Sequence, residues 1–211
     1  MDDHEHHGAA GHAHEHEHHG AAGHAHDISA EYATALADFR RRRDRAFAEG
    51  DGSPLLPEDR IGFHGLRYYA PDLAYRLEGV SPEPYAGEEP ATFAMPTSDG
   101  QLRQARRIAT LRFELGARSL ALHAYGFDDS DDGELFVPFA DETSGHETYG
   151  AGRYLDLETE ADGSVVLDFN LAYHPLCVYS PYFSCPLPPA ENRLPIRVEA
   201  GEMLPEGIGG H

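Results

Sequence analysis

Apolar side chains follow two periods along this chain, and the change between them sets the expected fold. From residue 29 to 48, Tyr32, Leu36, Phe39, Ala46 and Phe47 fall near helical spacing, with Asp27 or Ser29 in front as a cap. That pattern predicts one amphipathic helix. The run EGDGSPLLPEDR then interrupts it with Gly, Pro and Asp, and helical periodicity fades. Period-2 alternation takes over. Leu111, Phe113 and Leu115 alternate with polar residues, as do Leu120, Leu122 and Ala124, and GARS between them predicts a hairpin. Shorter strands are expected in GFHGLRYYAPD up to Pro71, at 75–80 and 91–95, in ELFVPF and in IRVEA, with 81–90 as a loop. GRYLDLE and SVVLDFN predict a second hairpin around ADG, with Val165, Leu167 and Phe169 on one face and Asp168 on the other. Seven to nine short strands with turns about every ten residues give a mainly β fold with one N-terminal helix, an antiparallel β-sandwich or partly open β-barrel.

Composition changes the picture of the surface. The net charge is −21, from 37 acidic residues against 16 basic ones, and every basic residue is arginine. Such a surface repels nucleic acid and anionic membranes, so neither is an expected partner. Molar salt would screen the self-repulsion, and arginine keeps positive charge where forked pairing to carboxylates is useful. The composition reads as that of a cytoplasmic protein from a halophile. The run FRRRRDR at 39–45 has the look of a nucleic-acid patch, yet in so acidic a chain the arginines are expected to pair with carboxylates of the body. Without lysine there is no Schiff-base or phosphate-loop chemistry. No apolar run approaches the ~18 residues of a membrane span, and the N-terminus lacks the basic start and apolar stretch of a secretory signal.

Residues 4–14 and 16–26 are the same string, HEHHGAAGHAH, which carries ten of the fifteen histidines: His4, His6, His7, His12, His14, His16, His18, His19, His24 and His26. Nothing in this tract can build a packed core, so residues 1–28 are expected to be a disordered tail, 29–203 a single β-rich domain and 204–211 a flexible end. The imidazoles offer interchangeable sites for Zn²⁺, Ni²⁺ or Cu²⁺, which makes metal buffering one candidate function and an inert solvated tail the other. DDSDDGE at 128–134 is similar to a calcium loop but lacks the ligand positions and is taken as a surface loop.

Two stretches concentrate chemistry. LDFNLAYHPLCVYSPYFSCPLPPAENRLP, 167–195, holds both cysteines, six prolines and three tyrosines. Cys177 and Cys185, eight apart, admit a disulfide, metal ligation with His174, a catalytic thiol with His174 as base, or buried structural thiols; the last is favoured, since familiar zinc spacings are absent. ETSGHETYGAGRYLDL, 142–157, places Gly150 and Gly152 just before Arg153. Arg153 is either an anchor for a carboxylate or phosphate or an internal partner of Asp141, Asp168 or Glu191.

LFVPFADETSGHETYGAGRYLDL and VVLDFNLAYHPLCVYSPYFSCPLPPAENRLPIRVEAGE together resemble the prokaryotic family called domain of unknown function 1684, and SPLLPEDRIGFHGLRYYAPD is consistent with its N-terminal half. The resemblance covers about residues 29–203. It implies no activity. It does imply a shared polar set: Thr148, Tyr149, Arg153, Asp168, Asn170, Glu191, Asn192 and Glu202, with Tyr173, Cys177 and Cys185 beside them. His174 departs from the pattern, where asparagine is usual, which argues against an essential ligand or base there. So polar a set predicts a small-ligand pocket where the two stretches meet, lined by Thr148, Tyr149, Arg153, Asp168, Asn170, Tyr173, Glu191 and Asn192. Asp168 or Glu191 would be the acid or base if chemistry occurs. The remaining alternative is a structural or interaction module without catalysis.

Overall fold

The computed structural model describes residues 29–128 and 134–205. The histidine repeats, most of the acidic loop and the chain from 206 onward lie outside the described residues, as does the expectation of a disordered tail. Helix α1 spans Ala30–Glu49. Its first turn is capped by Ser29, whose hydroxyl accepts the Tyr32 N–H at 3.2 Å, and it ends where the Gly50 N–H meets the Ala46 carbonyl. Leu36 and Phe47 are its buried residues. The arginine run braces the helix: Arg43 donates to Glu202 at 2.7 Å, Arg40 to the Tyr69 carbonyl at 3.2 Å, and Arg41 pairs with Asp38. A short helix α2, Pro57–Arg60, follows.

The strands are β1 (Arg67–Tyr68), β2 (Arg76–Val80), β3 (Pro82–Pro84), β4 (Thr92–Pro96), β5 (Leu102–Leu115), β6 (Arg118–Phe127), β7 (Leu135–Phe139), β8 (Arg153–Leu157), β9 (Val165–Asp168) and β10 (Glu202–Met203). Among the described residues every pairing between these strands is antiparallel. A six-stranded sheet runs β3-β5-β6-β7-β8, with β4 beside β3 on the edge of β5; β2 pairs β9 and β1 pairs β10. The core lies on one face of the large sheet. Leu111, Phe113, Leu122, Ala124, Val137, Phe139 and Leu155 meet Val80, Val165, Leu167 and Phe169 there. The expected mainly β, antiparallel architecture with one long helix is the one observed.

The β5–β6 hairpin is longer than the alternation suggested because a bulge at Ile108 hides the phase. Arg107 pairs Tyr125 and Ala109 pairs Ala124, so one extra residue separates the two registers. Ala109, Leu111 and Phe113 therefore face the core, while Ala105 and Arg107 share the opposite face with Tyr125 and Phe127. That opposite face carries its own apolar cluster of Met95, Ala105 and Tyr125 with Phe93, Phe127 and Phe136.

Three expectations are corrected. GRYLDLE and SVVLDFN are joined at the ADG turn by the Glu160–Ser164 bond of 2.7 Å, but β8 goes to the large sheet and β9 to β2. IRVEA is not a strand; the last strand is the two-residue β10. Most of GFHGLRYYAPD is irregular, leaving only β1, while the expected loop 81–90 contributes β3. For IRVEA, a segment with strand-like composition meets side chains where a ladder would have been.

Polar side chains take the place of ladder partners at several such points. Arg153 is 0% exposed and donates to Asp141 at 2.7 Å, to the Val198 carbonyl at 2.8 Å, and to the carbonyls of Ala200 and Glu202. It stands in for the strand that 198–200 lacks. Asn192 accepts the His123 N–H and donates to the His123 and Pro138 carbonyls, at 2.7–2.8 Å, filling the gap where β6 and β7 share a single paired position. Asn170 does the same for Asp72, accepting its N–H at 3.0 Å and donating to its carbonyl at 2.8 Å. A carboxamide has one acceptor and two donors, so it can replace a strand neighbour. Gly152, at φ +96°, and Gly201, at φ +78°, let backbone carbonyls come so close that a Cβ would sit within 2.5 Å of one.

Replacing Arg153 by methionine is expected to lower stability by roughly 3–5 kcal/mol, because Asp141 would be left buried and unpaired. Asn192→Ala should cost about 1–3 kcal/mol for stranded backbone groups. Denaturant melts at constant molar salt check both; an R153M protein as stable as wild type would show that the buried pair does not hold the C-terminal segment.

Candidate functional site

The outer face of β6, β7 and β8 is where a site forms. Because Leu122, Ala124, Leu135, Val137, Leu155 and Leu157 face the core, the alternate positions Tyr125, Phe127, Phe136, Tyr154 and Asp156 face away from it. A solvated sheet face is ordinarily polar; this one is aromatic. Phe136 sits edge-on to Tyr154, with ring centroids 4.8 Å apart, and tilted against Phe127 at 5.5 Å. Helix α1 brings Phe39 and Arg43 to one side, and the proline-rich segment brings Leu171, Tyr173, Pro175, Leu176, Cys185 and Pro186 to the other. Between them lies an open groove of about 750 Å³.

Tyr173 and Asp156 form a polar pair in its lining. The Tyr173 hydroxyl donates to Asp156 at 2.5 Å, its ring meets Tyr154 edge-on at 5.7 Å, and the Arg43 guanidinium lies 5.0 Å from the ring centre. Tyr173 and Tyr154 also exchange both backbone hydrogen bonds, at 2.9 and 3.1 Å. Asp156 has surface open to the groove but is walled by aromatic rings; this partial desolvation raises its carboxyl above the ordinary range, against the lowering pull of Tyr173 and Arg43. Among the described residues no ion pair engages Asp156. Asp168 touches the groove's edge, but its carboxylate is committed. It accepts the Tyr32 hydroxyl at 2.7 Å and two Asn170 N–H groups at 3.0 Å.

The eight residues expected to line one pocket are thus spread out. The stretches around 150 and 173–188 do lie side by side, joined by the Tyr154–Tyr173 pairing, by the Tyr154 hydroxyl donating to the Pro186 carbonyl, and by the Tyr149 N–H donating to His174 at 3.1 Å. Only Tyr173 and Asp168 reach the groove. Thr148 is buried against Thr143, hydroxyl to hydroxyl at 2.8 Å, and Arg153, Asn170 and Asn192 are bracing residues. Of the two readings of Arg153, the internal pair with Asp141 is the one formed. Glu191 lies outside the groove, in the turn at 190–192, and meets Arg107 of β5 and Tyr125 of β6. Burial works to raise its carboxyl, but bonds from its own backbone and from Arg107, at 2.6 and 3.0 Å, together with the Tyr125 hydroxyl at 3.2 Å, hold it below the usual range.

Cys177 and Cys185 are free thiols, with the Cys177 N–H 3.4 Å from the Cys185 sulfur. Among the described residues no three His, Cys, Asp or Glu side chains gather as a metal ion requires, so the ligand set of Cys177, Cys185 and His174 is not assembled. His174 points away from the thiols' chemistry. Its Nε2 accepts from Tyr149, its Nδ1 lies 3.8 Å from Glu202, and burial, with Arg153 and Arg43 nearby, pushes it down to about 3. It is a neutral structural imidazole. Glu202, the buried partner of Arg43, is raised by desolvation despite that arginine and the His174 N–H at 2.8 Å.

A model of the family described as "Protein of unknown function (DUF1684)" matches residues 61–203, which include every groove residue except those of α1. The chain belongs to this family. A solved solution structure of an uncharacterized protein from Haloarcula marismortui is 42% identical, aligns over 82% of this chain and 94% of that one, and has a TM-score of 0.60. No curated protein matches. No helix among the described residues is long and apolar enough to cross a membrane.

The groove residues missed in the sequence were Tyr154, Asp156, Phe136, Phe127, Phe39 and Arg43. A signal existed: three successive strands carry aromatic residues in the phase that does not face the core.

The His174 assignment sets a pH dependence. The folded pKa lies below the unfolded one, so the unfolded chain takes the proton first as pH falls. The contribution to stability is complete above about 6.5 and is lost between there and about 3. His174→Asn, the residue usual in the family pattern, is expected to fold within about 1 kcal/mol of wild type at pH 7.5 and to lose less stability on acidification to pH 4.5. Urea melts at both pH values check this; identical losses would mean that another group titrates.

Proposed function

We propose that this domain binds a small ligand in the groove between α1, the outer face of β6–β8 and the proline-rich segment, and that the ligand is an organic amine with an apolar ring or chain. The observation that carries this reading is Asp156. It is a carboxylate without an ion-pair partner among the described residues, held by the Tyr173 hydroxyl amid aromatic rings. A raised carboxyl in an apolar concavity gains most from a cation placed against it, and aromatic faces add cation–π attraction. Glu134, Glu158 and Glu160 on the rim and a net charge of −21 favour entry of cations. The groove volume is that of an ordinary small-molecule site. No reaction is assigned: Asp168 and Glu191, the acid/base candidates, both hold internal partners. The histidine repeats support a separate proposal, loading of Zn²⁺, Ni²⁺ or Cu²⁺, carried by the sequence alone.

Thermal-shift and ligand-observed NMR screens of aromatic amines against matched aromatic carboxylates test the groove reading. Amines are expected to bind and carboxylates not, with affinity falling as pH drops through the raised Asp156 pKa. Asp156→Asn should abolish amine binding. It should also raise the melting temperature near neutral pH, because a carboxyl whose folded pKa is raised destabilises the fold once ionised. Equal binding of both classes, or amine binding untouched in D156N, would overturn the assignment.

A further inference from the structure

Beside the groove, three distant parts of the chain meet around the two cysteines. The 98–99 turn, the loop before β8 and the two ends of the 177–185 segment meet there. The Ser98 N–H donates to the Cys185 carbonyl at 2.8 Å, and the Cys185 N–H donates to the Ser98 hydroxyl at 3.0 Å. The Cys177 N–H points at the Cys185 sulfur at 3.4 Å, so the 177–185 segment folds into a loop that sets the Cys185 sulfur against the backbone of Cys177. Cys177 is half-buried and reachable from solvent; Cys185 is 7% exposed. Neither thiol is taken up by a metal cluster among the described residues, and neither is crosslinked. Packing needs two small apolar residues here. It does not need two free thiols brought together at the ends of one loop.

We propose that Cys177 and Cys185 are a peroxide-responsive dithiol, with Cys177 as the attacking sulfur and Cys185 as the resolving one. Hydrogen bonds from the Cys185 thiol, opposed by burial and reinforced by the Ser98 and Tyr149 hydroxyls, bring Cys177 down to about 6; Cys185, bonded to it and buried, is pushed up. The titratable groups facing Cys177 are Cys185, Tyr149 and Tyr154, all neutral in the neutral range. The Cys177 thiolate attacks one peroxide oxygen, the O–O bond breaks, and hydroxide leaves and takes a proton, giving a sulfenic acid. The Cys185 sulfur then attacks the Cys177 sulfur, an S–S bond forms, and the sulfenic oxygen departs as water with the Cys185 proton. Two thiols are oxidised by two electrons and one peroxide is reduced to two waters. An external thiol returns the pair by exchange through a mixed disulfide. This site reads out on sulfur, so its success or failure is separate from that of the groove's ligand.

The full chain suits the experiment because it holds only these two cysteines, and a chelator silences metal on the histidine repeats. One equivalent of hydrogen peroxide is expected to remove both free thiols and two hydrogens from the intact mass. Cys185→Ser should instead gain one oxygen, trapped on Cys177 by dimedone, and Cys177→Ser should not react at that dose. In wild type, limiting iodoacetamide followed by peptide mapping should label Cys177 first. That rate should fall only about 2-fold from pH 8 to pH 6, where the guanidinium-unfolded chain falls roughly 70-fold. Tyr149→Phe should steepen the folded profile. Two free thiols remaining after peroxide, or labelling that follows the unfolded profile, would overturn the proposal, and both readouts stand on wild type if a variant fails to fold.

Discussion

The fold turns on the burial of Arg153. The segment from 196 to 200 crosses the core side of the large sheet without a strand partner, yet Val198 and Ala200 are fully buried. Their carbonyls, and that of Glu202, converge on one guanidinium whose charge is balanced by Asp141, itself 1% exposed. A planar fork with five donors can serve a carboxylate and several carbonyls at once, which a lysine ammonium cannot do with comparable geometry. Once 198–202 is held, Glu202 is in place to receive Arg43, and through it α1 is fastened to the body. The wall of the groove that α1 supplies therefore depends on an ion pair buried outside the groove.

The same logic explains the polar character of the family pattern. Arg153, Asn170 and Asn192 do for irregular backbone what a ladder does for regular backbone, and Asp168 fastens Tyr32 of α1 as well as Asn170. A chain that bends away from its sheets inside a compact domain must satisfy each buried N–H and C=O some other way. Polar residues in such a pattern report the irregularity of the backbone as readily as they report a ligand. What distinguishes Asp156 is that no such duty engages its carboxylate: among the described residues the hydrogen bond it accepts comes from another groove residue, Tyr173.

Arginine is the only cation in the chain, and the structure shows a use for each property that separates it from lysine. Arg107 forks onto Glu191 while lying over the Phe93 ring at 4.0 Å, Arg43 pairs with a buried carboxylate while passing over Tyr173, and Arg153 serves four acceptors. These are short-range, partly desolvated contacts, which salt screens far less than it screens the long-range repulsion of a −21 surface.

By itself the sequence determined what local patterns can determine. It set the capped helix, the β5–β6 hairpin, the core phase at Leu111, Leu122, Val165 and Leu167, and the adjacency of the 150 and 173–188 stretches suggested by their shared motifs. Each of these rests on periodicity or on turn chemistry, which act within a few residues. Only the tertiary structure decided that β8 and β9 part into different sheets, that IRVEA is held by a guanidinium rather than a ladder, and that Arg153, Asn170 and Asn192 face inward to backbone. It alone assembled the groove from Phe39, Phe136, Tyr154, Asp156 and Tyr173, residues drawn from four separate elements. The reason is physical. A polar side chain in a sequence advertises hydrogen-bonding capacity but not its partner, and the partner here is a carbonyl or amide up to about a hundred residues away, brought near by burial of a core that does not itself choose among them.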